Sequence, residues 1–176
     1  RRQRQMCIRD RDYVSWRKSL QKDADILELL TLMVGDITPE HDLKLQELLK
    51  IIDNKINHPI NEGNKKIIIF TAFADTAGYL YDNVSTYVKT KYGLNTAMVS
   101  GMVEGRTTCP NLKKDLNTVL TCFSPISKDK KLLMPNDDTE IDLLIATDCI
   151  SEGQNLQDCD YPVSYTHLRA HETCAD

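Results

Sequence analysis

No apolar run in the 176-residue chain approaches the roughly 20 residues that a membrane span needs. Nor does any stretch join a basic start to a short apolar core as a secretory signal does. The first absence argues against a membrane-spanning helix, the second gives no support to export, and a cytoplasmic location is expected. The six cysteines, at positions 7, 109, 122, 149, 159 and 174, form no C-x-x-C pair and keep no regular spacing, which argues against a disulfide framework. Cys122, Cys149 and Cys159 lie beside apolar segments, as reduced thiols that fill a core do. Internal repeats and low-complexity tracts are also missing.

What is present is enough hydrophobic residue, 41% against 27% charged, for one core with a small helical annex. The formal net charge of -4 is unevenly spread, because Arg1, Arg2, Arg4, Arg9 and Arg11 crowd the first eleven residues. Between residues 12 and 163, 16 Lys and Arg stand against 23 Asp and Glu, a net of -7. An acidic body cannot hold nucleic acid by bulk attraction, so any such binding must come from a few well-placed donors.

Leu20, Ile26, Leu27, Leu30 and Val34 recur near helical spacing, and Gly35 is expected to close that first helix as its C′ residue. Thr38, Pro39 and Glu40 have the chemistry of a helix start, and Leu45, Leu48, Leu49, Ile52 and Ile56 form the stripe of a second helix. HPINEGN at 58–64 then supplies a turn. From Lys66, KIIIFTAF is short, continuous and β-rich, as in a strand covered on both faces. Ala77, Leu80, Tyr81, Val84 and Val88 predict a helix of about four turns, ended by Gly93. NTAMVSG (95–101) is a second strand, and Leu112, Leu116, Val119, Leu120 and Phe123 mark a further helix. After the polar stretch SPISKDKKLLMPNDDTE, residues 142–147 form a third strand, and YPV at 161–163 begins a fourth. This alternation predicts an α/β domain with a parallel sheet and right-handed crossovers.

In such sheets ligands meet the carboxyl ends of the strands. Thr71, Gly101 and Thr147 fall at those ends, where small hydroxyls and glycine let phosphate oxygens approach backbone N–H groups. At 143–161, LLIATDCISEGQNLQDCDY passes within two residues from an apolar run into small, polar and acidic groups, which marks it as a ligand edge.

Two of these stretches resemble motifs of one family. IFTAFADTAGYLY is similar to motif IV of the superfamily 2 helicases and translocases. LLIATDCISEGQNLQDCDY is similar to their motif V, in the form found in Swi/Snf-like and related bacterial DEAD/DEAH-type ATPases. The resemblance covers roughly residues 65–161. It implies a RecA-like parallel sheet flanked by helices and preceded by two helices: the second lobe of an ATP-dependent motor on DNA or RNA. On that footing Thr71, Ser100, Gly101 and Thr147 bind the nucleic-acid backbone. Glu152, Gly153 and Asn155 face the nucleotide across the inter-lobe cleft, and Asp148 braces the loop. ATP and Mg would belong to the parent enzyme, held mainly by an N-terminal RecA-like lobe that is missing here. The partner is DNA or RNA, with no membrane. No catalytic or metal-ligating residue is assigned to this chain.

The chain departs from the family pattern in two respects. No Q-R-x-G-R-x-x-R helix follows motif V, and no G-x-x-x-x-G-K-[ST] occurs, so the fragment by itself is not expected to hydrolyse ATP. PVSYTHLRAHETCAD also resembles translated sequencing-adaptor read-through, and RRQRQMCIRDR its counterpart. The expected division is therefore a non-native leader at 1–11, a helical approach segment at 12–64, an incomplete RecA-like lobe at 65–163 and a non-native tail at 164–176. The alternative is a non-enzymatic α/β interaction module whose crevice is vestigial. A sugar-nucleotide transferase is a third class.

Other features are expected to be structural. GMVEGRTT (101–108) mimics a phosphate loop, but its glycines are one residue too close and Arg106 stands where lysine is needed. PNDDTEID is a solvated loop ahead of a strand, although its acids have the chemistry of a cation site. His167, His171 and Cys174 have zinc-like spacing in the tail. Among Tyr79, Tyr81 and Tyr87, which could stack bases, Tyr81 belongs to the apolar stripe.

Overall fold

The computed structural model describes residues 13–35, 38–101, 104–147, 150 and 154–168. The chain divides into two compact units, residues 1–42 and 43–176. In the first, α1 (Tyr13–Gly35) is one helix of 23 residues without a buried side chain. The stripe residues Leu20, Ile26, Leu27, Leu30 and Val34 are all exposed on it. Gly35 is the last helical residue and not the one beyond it. Thr38 begins only a single 3-10 turn, Pro39–His41, instead of the second helix. Its N–H and hydroxyl both meet His41 Nδ1, at 3.3 and 3.0 Å, and Asp42 then turns extended (φ -80°, ψ 93°), which ends the turn.

The second unit opens with α2 (Leu43–Asn57), whose Leu45, Leu48, Ile52 and Ile56 are buried. The sequence grouped this helix with α1, but its stripe closes one face of the sheet core, so the division falls between them. Five strands follow: β1 (Ile67–Phe70), β2 (Thr96–Val99), β3 (Arg106–Thr107), β4 (Leu143–Ala146) and β5 (Pro162–Ser164). Their order in the sheet is β3-β2-β4-β1-β5, and every pairing is parallel except that of β3 with β2. α3 (Ala74–Tyr92) connects β1 to β2, while α4 (Leu116–Phe123) and a single turn, α5 (Lys130–Leu133), lie between β3 and β4. The unit is an α/β fold, a mostly parallel five-stranded sheet flanked by helices, in agreement with a RecA-like arrangement.

Alternation along the strands divides the core in two. Ile67, Ile69, Met98, Leu143 and Ile145 pack with α2 and α3, whereas Ile68, Ala97, Val99, Leu144 and Ala146 pack with Val119, Leu120 and Phe123 of α4. Each fully buried Leu, Ile or Phe stabilises the fold by roughly 1.5–3 kcal/mol, so the central strands are held from both sides. α3 ends at Gly93, whose φ of 71° only glycine adopts freely, and its N–H bonds Lys89 O at 3.0 Å. α4 starts at Leu116, later than its apolar spacing suggests, because Asp115 caps it by accepting from Thr118 N at 3.0 Å. Leu112 is buried ahead of that cap. β5 carries Pro162 at the sheet edge, where a missing N–H is tolerated. The strand runs through Ser164, and Tyr165 is buried in the core beside α2 and α3 although the sequence placed it in the tail. Among the described residues no helix is long and apolar enough to cross a membrane.

Candidate functional site

Three connections leave the carboxyl edge of the sheet side by side. Val99 of β2 and Phe70 of β1 both stand level with Ala146 of β4, so the residues that follow them come out on one line. Backbone bonds extend the ladder one step further, from Thr71 N to Ala146 O (3.0 Å) and from Thr147 N to Val99 O (3.3 Å). Thr71, Thr147 and Ser100 therefore share a rim about 10 Å wide at the usual strand spacing, with Gly101 next to Ser100. The sequence placed Thr71, Gly101 and Thr147 at strand ends, with Ser100 added by the resemblance, and all four come out on this edge.

Their exposure differs. Gly101 is exposed and Ser100 half-buried, but Thr71 and Thr147 keep only 4% and 8% of their surface. The outward part of the rim is thus the Ser100–Gly101 corner, and the threonines lie beneath it. Beyond Thr71 the chain turns into α3 through Phe73, which occupies the N-cap position without a capping side-chain bond and is 71% exposed.

The loop after β4 is only partly described. Asp148, Glu152 and Gly153 lie outside the described residues. Asn155 is exposed on the return leg of the β4–β5 connection. Its neighbour Gln154 accepts a hydrogen bond from Lys128 Nζ at 2.7 Å, and Leu156 packs in the α4 layer of the core. Asp158, which the sequence did not single out, clamps the turn after α4. Its carboxylate accepts from Ile126 N (2.7 Å), Ser127 N (2.9 Å) and the Ser127 hydroxyl. Nothing in the local sequence marks this contact, because its partners are about thirty positions away.

The opposite, amino-terminal edge holds a cavity of about 770 Å³ lined in part by Lys66, Lys130, Asp142 and Asp158. Several of its polar groups are already engaged. Lys66 Nζ donates to Ile141 O (3.0 Å) and pairs with Glu140 (3.6 Å), while buried Lys130 donates to Thr139 O. Asp142 accepts from Asn95 N at 2.9 Å, and burial pushes its carboxyl above the usual range. Asp137 accepts from Thr139 N at 2.8 Å, so of the acids of PNDDTEID Asp137 ties its own loop, while Glu140 and Asp142 reach the neighbouring segments. Among the described residues no group of three or more His, Cys, Asp or Glu could hold a metal ion.

The remaining features are structural where they are described. Arg106 of the phosphate-loop mimic lies on the edge strand β3, 2.5 Å from Asp82 and over the ring of Tyr81 at 4.5 Å. Tyr81 is core, Tyr87 bonds Asp53, and Tyr79 is 37% exposed. His167 meets Ser164 Oγ at 2.7 Å, whereas His171 and Cys174 lie outside the described residues. Cys122 is buried and Cys159 half-buried, and burial pushes both thiols up, as expected of inert core thiols; Cys149 is not described. No family model, curated protein or solved structure matches this chain.

Proposed function

We propose that this chain is the second lobe of an ATP-dependent nucleic-acid helicase or translocase and that the carboxyl rim of its sheet takes the nucleic-acid track. The observation that supports this most is the convergence of Thr71, Ser100, Gly101 and Thr147 on adjacent parallel strand ends, the edge at which open α/β sheets bind ligands. In this reading a phosphate meets the Ser100 hydroxyl and the backbone around Gly101 first, and the threonines set the depth of the groove. Of the three residues assigned to the nucleotide, Asn155 alone is described, and one exposed amide does not make a nucleotide site. By the resemblance ATP and Mg are held mainly by a first lobe, and the rim carries the proposal for this chain.

The low exposure of both threonines favours one other reading, an α/β interaction module whose crevice is a relic. Binding of a labelled oligonucleotide, followed by anisotropy, separates the two. The motor lobe binds it, and Gly101→Glu weakens binding by tenfold or more by placing a charged side chain at the open corner. No binding at low salt sinks the motor reading and leaves the module.

A further inference from the structure

Phe73 is the most exposed aromatic residue among the described ones, at 71%. Leaving a phenyl ring in water forfeits the stabilisation that burial would give, and Phe73 belongs to neither of the two hydrophobic cores among the described residues. Its position is specific: it lies two residues beyond Thr71, at the mouth of α3, on the same edge as Ser100 and Gly101. It takes the N-cap position, where Ser, Thr, Asp or Asn would stabilise the helix and an aromatic cannot.

The charge around the rim narrows what such a ring serves. Asp75 lies in the first turn of α3, Glu104 follows the Gly101 corner, and residues 43–163 carry 13 Lys and Arg against 16 Asp and Glu, a net of -3. A strand of phosphates gains little from that field. Stacking depends on a base's π-face and needs no positive field.

Resting on the function proposed above, we infer that Phe73 is a base-stacking platform and that the rim takes single-stranded nucleic acid, its backbone on the Ser100–Gly101 corner and a base laid on the Phe73 ring. A continuous duplex keeps its bases stacked on one another and offers no such face, so single strands are preferred.

Three probes of equal length test this on the whole chain: an oligothymidylate, an abasic oligonucleotide with the same backbone, and a blunt duplex. The chain is expected to bind oligothymidylate at least tenfold more tightly than the other two. Phe73→Ala removes that preference, and Phe73→Trp retains it. Phe73 is exposed, so both variants are expected to keep the circular dichroism spectrum and melting midpoint of the parent. If Phe73→Ala weakens the abasic probe as much as oligothymidylate, or leaves both unchanged, stacking is overturned while the rim reading stands; the second result suits a ring covered by another protein lobe. A duplex bound as tightly as oligothymidylate also overturns the single-strand preference. If none of the three probes binds, the proposed function falls with it.

Discussion

Asp53 on α2 accepts hydrogen bonds from three side chains of α3: Tyr87 (2.8 Å), Lys91 (2.7 Å) and Tyr92 (2.8 Å). Burial alone would push its carboxyl up, but the bonds from Lys91, Tyr87 and Tyr92 outweigh it and hold the group below its ordinary 3.8. A carboxyl depressed in the folded state lends stability that is complete above the unfolded value and is lost as pH falls through the folded one. The fold is therefore expected to weaken below about pH 4, and Asp53→Asn to flatten that acid limb in urea melts taken at pH 3 and pH 7. At pH 7 the variant should cost about 1 kcal/mol, since part of the cluster is solvated and screened. An unchanged acid limb would show that other carboxylates govern it. A second pairing is deeper. Lys55 is 2% exposed with Nζ 2.6 Å from Asp160 Oδ1, and Asn61 bonds the other carboxylate oxygen at 2.7 Å. Lys55→Met leaves Asp160 without its counter-charge and should cost ~3–5 kcal/mol, much of it recovered by adding Asp160→Leu.

At the level of elements, the close approach at Gly105 is a sensitive point. A Cβ there would stand 2.6 Å from Lys114 O and 3.3 Å from Met98 O, both backbone atoms. Gly105→Ala must push β3 off β2 or move the segment ahead of α4, at about 1–3 kcal/mol, readable as a lower melting midpoint and faster amide exchange at Thr108. Exchange unchanged at Thr108 would mean that the edge absorbs the methyl group. The central strands and α3 were legible because IIIF, LLIA and the spacing of Leu80, Tyr81, Val84 and Val88 are dictated by burial on both sheet faces. β3 was not, because two residues carry no periodicity and their pairing is set across the sheet by Ala97 and Met98. α5 is a single turn opened by Asp129 in a left-handed conformation, too short to leave a stripe. Thr38, Pro39 and Glu40 do form a turn, but Asp42 interrupts it before a helix can propagate. The rim was legible through its strand ends, whereas the burial of Thr71 and Thr147 depends on what packs over them and leaves no local mark.

Across the whole molecule, the sheet offers one edge for a ligand and the charge constrains how that edge can hold it. The amino-terminal cavity spends Lys66, Lys130, Asp142 and Asp158 on its own walls, so its volume does not make it a site. The carboxyl rim has a hydroxyl, a glycine corner and an exposed ring, set in a unit with a net of -3 between residues 43 and 163. Affinity there cannot come from releasing many counterions. Neutral donors such as a hydroxyl and backbone N–H groups displace few counterions, so little affinity should be lost between about 50 and 200 mM salt, against the roughly 10³–10⁵ seen when Lys and Arg neutralise six to ten phosphates. The five arginines among the first eleven residues could imitate a steeper dependence, so the measurement needs a chain beginning at Asp12 beside the full one. Both are expected to show the shallow slope if the rim holds the strand. A steep slope confined to the full chain would assign binding to the arginine-rich start, and a steep slope in both would place it on basic residues away from the rim.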